Sequence, residues 1–208
     1  MYYELATLTL PFGTTAQAAT QVHAFATAPE AQGELLACWS TDIGALNRMI
    51  VLRGFADLAA LQAERERTQR AASPFGCGDL YQHLELASYR GFPWMKPARP
   101  SAESGIAGPV YEIRTYGIRP GGTQPTIDLW QQYLPAREAI SPCVVAMVAL
   151  DGAPRFTNIW AYPSLDARSQ ARADAVAQGL WPPKGGPSHL TTDMVSTIAL
   201  PTSVSPMQ

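Results

Sequence analysis

Cysteine is scarce in this 208-residue chain. Cys38, Cys77 and Cys143 make an odd count with no CxxC spacing. That pattern argues against a disulfide framework and a thiolate metal site, and leaves each cysteine as a small buried hydrophobe. Charge is also sparse, at 15% of residues with a net charge of −2. Lys and Arg are scattered, whereas nucleic acids and anionic membranes are met by clustered basic residues, so neither partner is expected. The densest charged run, Glu64 to Arg67, mixes signs and reads as a solvated helix face. No apolar run approaches the roughly 20 residues of a membrane span. The opening MYYELATLTL alternates like a strand and has no basic leader segment, so a cytoplasmic protein is expected. There is no GxGxxG after a strand, no phosphate-binding loop, no GxSxG and no HExxH. No cluster of His, Cys and carboxylates has metal-ligand spacing, and only three histidines could serve a haem as axial ligand. The expectation is therefore no metal and no cofactor.

What the chain does have is a repeat. Tyr3-Glu4-Leu5 recurs as Tyr111-Glu112-Ile113, and each copy opens a strand ending in a glycine turn. The run Asn47–Phe55 matches the pattern of Pro154–Tyr162, at an offset of about 108 residues. Residues 91–109 are rich in Pro, Gly and Ser and read as a linker. The division is then 1–90, a linker at 91–109, a second copy at 110–201 and a tail at 202–208.

Each copy reads in the same order. Strands are expected at 2–10, 34–41, 47–55 and 81–88 in the first copy, and at 110–118, 143–150, 154–162 and 190–200 in the second. Helices fall at about 14–28, 57–72, 123–140 and 164–178, the third of them carrying an Ile127, Trp130, Leu134 stripe. This βαββαβ order is the ferredoxin-like unit of an α+β fold. Its sheet has helices on one face only, and the simplest cover for the other face is the second copy. Two sheets packed face to face would enclose a barrel-like core, the natural place for a cavity.

The motif Tyr111-Glu112-Ile113-Arg114-Thr115-Tyr116, followed by Arg119-Pro120-Gly121, resembles the opening strand of a NIPSNAP module. Asn158-Ile159-Trp160-Ala161-Tyr162 with Ser164–Arg168 is similar to that family's third strand and second helix start, and Trp39–Asn47 to its second-strand turn. The second copy keeps the opening motif. The first has Ala6 and Leu8 in place of Arg114 and Tyr116, and Arg53 in place of Trp160. The resemblance implies a dimeric α/β-barrel architecture built within one chain. Relatives in that superfamily include cofactor-free monooxygenases, isomerases and haem enzymes, so the fold does not fix the reaction.

Strand alternation sorts the candidate residues. With Ile113 placed toward the helices, Glu112, Arg114 and Tyr116 point into the barrel and meet Asn158, Trp160 and Asp193. In the first copy Tyr81, His83 and Glu85 point inward, with Glu4 and Arg53 as cross-strand neighbours. Glu112, His83 and Asp193 are candidate acid/base groups, with Arg114 holding an anion or enolate. Tyr116, Asn158, Trp160, Trp39, Arg53, Trp181 and His189 are candidate ligand contacts. Trp181 and His189 flank a Pro- and Gly-rich loop suited to capping a cavity mouth. The structural alternative is that the Glu–Arg pairs simply fix the packing of the sheets.

Two functions fit these residues. One is a cofactor-independent enzyme acting on an apolar small metabolite by isomerisation, cyclisation or O2-dependent oxidation. The other is a non-catalytic small-molecule-binding protein. Open sheet edges in such modules also allow a homodimer.

Overall fold

A computed structural model describes residues 1–208. The first module holds β1 (Tyr2–Thr9), α1 (Thr15–Ala26), β2 (Glu34–Ile43), β3 (Arg48–Phe55), α2 (Leu58–Arg70) and β4 (His83–Gly91). A short helix, α3 (Ser101–Ser104), lies between the modules. The second module holds β5 (Val110–Ile118), α4 (Thr123–Glu138), β6 (Cys143–Ala149), β7 (Arg155–Tyr162), α5 (Leu165–Ala177) and β8 (Leu190–Pro201). The repeat extends to local detail. Asp57 caps α2 by accepting from the Ala60 N–H at 2.8 Å, and Ser164 caps α5 by accepting from the Ala167 N–H at 3.0 Å. β2 carries a register shift between Leu35 and Ala37, and β6 carries one at the equivalent Cys143 and Val145.

The strands close into an eight-stranded barrel in the order β1-β3-β2-β8-β5-β7-β6-β4. Within each module the first strand sits between the third and the fourth. The modules are joined where β2 pairs with β8 and β4 pairs with β6. The module edges that the sequence left open for self-association are thus largely used inside one chain. A free edge remains on β8 before Ile198, where β2 has ended at Ile43.

Three apolar clusters fill this frame. The barrel interior is built from Tyr3, Trp39, Leu52, Tyr89, Tyr111, Ile113, Met147, Ile159 and their neighbours. A second cluster under α1 includes Leu8, Val22, Cys38, Met49 and Phe75. A third under α4 and α5 includes Ile127, Trp130, Phe156, Trp160 and Ile198. All three cysteines are free and buried, as expected.

The barrel interior is apolar, and this reverses one expectation. Tyr111 and Ile113 point inward, so Glu112, Arg114 and Tyr116 lie on the helix-facing side of β5. Strand alternation and polarity alone assign the polar residues to the cavity and the isoleucine to the helices. In fact the two inner sheet faces cover each other with apolar side chains through the middle of the barrel, with charge only at its open end, while the outer face of β5 carries an ion cluster roofed by α5. The Glu64–Arg67 run is not a solvated face either. Glu64 is fully buried, accepting from Arg53 and, at 2.7 Å, from Arg67.

One end of the barrel is corked by the linker and the tail. The Ala98 N–H donates to the Tyr3 hydroxyl at 3.0 Å, the Cys38 N–H donates to Ser205 Oγ at 3.0 Å, and the Met207 side chain is sealed in the barrel core. The other end opens as a cleft of about 290 Å³ between Thr7, Glu85, Thr115, Arg155 and Asp193. Met207→Ala should lower stability by about 2–4 kcal/mol, the usual cost of truncating a fully buried large side chain, measured by urea unfolding. A loss below about 0.5 kcal/mol would show that the tail does not plug the barrel.

Candidate functional site

A cavity of about 260 Å³ lies between the outer face of the second module's sheet, α4, α5 and the segment leading into β8. Its walls are aromatic. Trp130 meets Trp181 at 4.8 Å and Phe156 at 5.3 Å between ring centres, and Tyr116 meets Phe156 at 5.2 Å. These are edge-on contacts, the arrangement that aromatic quadrupoles favour. Pro182, Pro183 and Pro187 close one side, and Leu190 and Met194 of β8 close another. Arg114, Arg137 and Arg172 place guanidinium groups among these walls. A larger cavity of about 740 Å³ runs along the linker and the end of α4, but its charges are mixed in sign, with Lys96 and Arg99 beside Glu103 and Glu138. Only the smaller cavity combines aromatic walls with charge of one sign.

The charge is organised around Glu112, which has no exposed surface. Its carboxylate accepts from Arg114 Nη1, from Arg168 Nη2 at 2.5 Å and from Ser196 Oγ at 2.8 Å, and Arg172 Nη1 lies 3.9 Å away. Burial alone would push this carboxyl up. The Arg168 hydrogen bond, the charge of Arg114 and further hydrogen bonds from Ser196 and Arg114 outweigh it and hold the pKa at about 2. Glu112 is therefore a fixed anion that holds the arginines. Arg114 in turn donates through Nε to the Tyr116 hydroxyl. Behind this layer, Trp160 Nε1 donates to Asn158 Oδ1 at 2.7 Å, and Asn158 Nδ2 donates to the Arg114 carbonyl at 3.3 Å.

Of the residues singled out from sequence, Arg114, Tyr116 and Trp181 line the cavity, Glu112 anchors it, and Asn158 and Trp160 support it. The others lie elsewhere. Asp193 is on the opposite face of β8, at the open barrel end, so it does not converge with Glu112. His83 is exposed at the start of β4, opposite Thr9, and only Glu85 of its expected inward set reaches the barrel cleft. Tyr81 packs on the helix-side cluster of the first module. Trp39 is sealed inside the barrel against Tyr111, 5.0 Å between rings. His189 sits in a 3-10 turn outside the cavity lining, where its carbonyl accepts from the Arg119 N–H. Arg53 belongs to the first module's closed ion cluster. It binds Glu4 at 2.5 Å and also Glu64, and Arg65 reaches the same Glu4 at 3.3 Å.

Sequence reasoning did not single out Arg137, Arg168 and Arg172. A signal for each was present. Arg168 and Arg172 are four apart and so share a helix face. Arg137 continues the Ile127, Trp130, Leu134 stripe by three residues, which places an arginine on the buried side of α4. No group of three or more potential metal ligands occurs anywhere in the chain. None of the three histidines lines the cavity, so the residues present do not fit a haem held by an axial histidine.

Fold and site together define a fused α/β barrel of two ferredoxin-like modules with its most developed cavity on the helix side of the second. The NIPSNAP family pattern matches residues 3–74 and 111–206, and the chain belongs to the NIPSNAP family. It is 25% identical over 147 residues to a NipSnap homolog of Dictyostelium discoideum, an alignment covering 70% of this chain and 65% of that one. The chain thus spans just under two thirds of that relative's length. Among solved structures, it superposes on a candidate monooxygenase of Lactobacillus acidophilus NCFM with a TM-score of 0.66 at 9% identity, covering 96% of this chain and 92% of the other. It superposes on an anthrone oxidase-like protein with a TM-score of 0.65 at 11% identity, covering 97% and 91%. At these identities the structural likeness shows the fold alone. No helix is long and apolar enough to cross a membrane.

Because the Glu112 pKa is depressed, its contribution to stability is present above the ordinary carboxylate pKa and is lost as pH falls toward 2. The shift corresponds to about 3 kcal/mol. Glu112→Gln should be less stable than wild type at pH 7 by about 3 kcal/mol, since it leaves half-buried arginines without their counter-charge. Its stability should also vary less between about pH 4.5 and pH 2. Parallel wild-type and mutant stability curves across that window would refute the assignment.

Proposed function

We propose that this chain is a cofactor-independent enzyme for a flat, apolar small metabolite bound in the second-module cavity, with Tyr116 as the proton-transferring group and Arg114 as the charge stabiliser. The observation that carries this reading is the Tyr116 hydroxyl. Inside aromatic walls its oxygen accepts from Arg114 Nε, which leaves its own O–H free for a ligand oxygen. The Arg114 guanidinium, locked by Glu112, stands ready beside any negative charge that forms there. Glu112 is not the base in this scheme. A carboxyl with a pKa near 2 is too weakly basic for proton abstraction at neutral pH. The reaction class is proton transfer, as in an isomerisation or cyclisation, or as the first step of an O2-dependent oxidation. The oxidation branch agrees with the descriptions of the candidate monooxygenase and the anthrone oxidase-like protein, with the fold as the link.

A second reading, a non-catalytic small-molecule-binding protein, is favoured by one observation: the only carboxylate at the site is buried and ion-paired to arginines, and no histidine lines the cavity.

Incubation of the protein with aromatic metabolites selected by thermal shift, followed by mass spectrometry, separates the two. The enzyme reading expects a converted product and a rate lowered about 10²- to 10⁴-fold by Tyr116→Phe, with ligand affinity within about threefold. Recovery of every bound compound unchanged would overturn it in favour of the binding protein. Val176→Trp, on the exposed rim of the cavity, should abolish both binding and turnover.

A further inference from the structure

The two modules share an architecture and differ in their charge balance. In the first, Arg53, Arg65 and Arg67 face Glu4, Glu64 and Glu30, so three cations meet three anions, and Arg65 also reaches Asp151 of the second module, itself paired with Arg155. The Arg53 guanidinium is also covered by the Phe75 ring at 4.7 Å. That network is balanced in charge, with Arg53, Glu4 and Glu64 buried at its centre.

In the second module Arg114, Arg168 and Arg172 converge on the single carboxylate of Glu112. Arg137 adds a fourth cation with no carboxylate partner at all. It is 2% exposed, donates to Ser141 Oγ at 2.6 Å and to the Tyr162 hydroxyl at 3.4 Å, and lies 4.6 Å from the centre of the Trp160 ring. Four arginines thus stand against one acid. Three of them (Arg114, Arg137 and Arg172) reach the cavity. Burial pushes the Arg172 guanidinium down, and the charges of Arg114 and Arg168 push it further, as expected for a cation short of a counter-charge. The Nε of Arg168 is buried with no hydrogen-bond partner. A buried cation without a counter-ion is costly, and several sharing one apolar pocket call for an anion from outside the chain.

We propose that the second-module cavity is specific for an organic anion: a flat apolar body stacked among Trp130, Trp181 and Phe156, with one carboxylate-, sulfonate- or enolate-type oxygen group received by Arg137 and Arg172. The inference rests on the cavity being the ligand site and adds the charge of the ligand. It also separates two roles. Arg114 is already engaged with Glu112 and Tyr116, whereas Arg137 and Arg172 read the charge of the incoming molecule. Both arginines are positioned by helices, Arg137 by the last turn of α4 and Arg172 by the middle of α5.

The test uses two dyes of matched shape, the anion 1-anilinonaphthalene-8-sulfonate and the uncharged N-phenyl-1-naphthylamine, titrated into the full-length protein. Wild type should bind the anionic dye at least about tenfold more tightly than the neutral one. Arg172→Met should weaken the anionic dye about tenfold and leave the neutral dye unchanged. Arg172 is partly exposed on a helix, so this variant should fold, and a melting curve beside wild type checks that it does. Arg137→Met, at the buried position, should act in the same direction. Val176→Trp should exclude both dyes and so locates the binding. Equal affinity for the two dyes, unaffected by Arg172→Met but abolished by Val176→Trp, would overturn the anion inference and leave the cavity as the ligand site. Binding of either dye that Val176→Trp does not touch, or no binding at all, would remove the cavity reading and this inference with it.

Discussion

A sheet has two faces, and in water each face that is apolar must be covered. Each module of this chain covers one face with its two helices and has nothing of its own for the other. The two modules solve the problem together. Their bare faces meet, β2 joins β8 and β4 joins β6, and the resulting interior is filled by Tyr3, Trp39, Tyr111, Met147 and their neighbours. Once the interior is closed by side chains and corked by Met207, little room for a ligand remains there beyond the cleft at the open end. The aromatic-walled cavity lies instead between sheet and helices, in the second module. The position of the site follows from the need to bury the barrel face.

The same constraint explains why the two modules could diverge without disturbing each other. Their helix-side layers lie over different strands of the closed barrel, with Arg65 of the first reaching Asp151 of the second. Glu4 and Glu112 occupy equivalent positions on β1 and β5, and Arg65 and Arg172 approach them from equivalent places on α2 and α5. Around this shared pair the first module adds Arg53 and Glu64, a matched couple that closes the layer. The second has Trp160 where Arg53 stands, and adds Arg114, Arg168 and Arg137. The replacement of a guanidinium by an indole on β7 helps build the aromatic wall, and the added arginines supply uncompensated charge. One copy became structure and the other a cavity with a field.

Most of the architecture was legible in the sequence. The 108-residue repeat, the element order and the ferredoxin-like unit follow from motifs such as Tyr3-Glu4-Leu5 and Tyr111-Glu112-Ile113, and from apolar periodicity, because burial dictates both. Alternation correctly grouped Glu112 with Arg114 and Tyr116, and Asn158 with Trp160. On β4 and β8, Leu84, Leu86, Met194 and Ile198 face the helices. What alternation could not supply is which face of β5 looks inward. Period two fixes the partition of a strand and leaves the sign open. On β8 the sign came out right, since the helix-facing positions there are apolar. On β5 the inward positions are Tyr111, Ile113 and Thr115, and the helix-facing ones are charged, so polarity pointed the wrong way. The arginines on α4 and α5 are a different case. Arg137 lies on an apolar stripe, and that position, more than its charge, is the signal by which the sequence could have revealed it.

Glu112 shows why a buried ion cluster can be more than packing. Replacing a buried pair with apolar groups is often neutral for stability, so a Glu–Arg contact by itself argues little. A cluster in which one carboxylate holds three arginines is different, because no apolar substitution of the acid leaves the arginines satisfied, and no removal of one arginine restores neutrality. The carboxylate gives up its own basicity, and with it any role as a catalytic base. In exchange it fixes Arg114 against Tyr116 and sets Arg168 and Arg172 above β5. Such an arrangement is preorganised: the dipoles and charges are in place before a ligand arrives, and binding needs no reorientation of the site. In the proposed scheme the chemistry of the cavity is therefore set by the Tyr116 hydroxyl and the arginine charges that face it, while Glu112, the residue that looks most like an acid/base catalyst in the sequence, holds them in place.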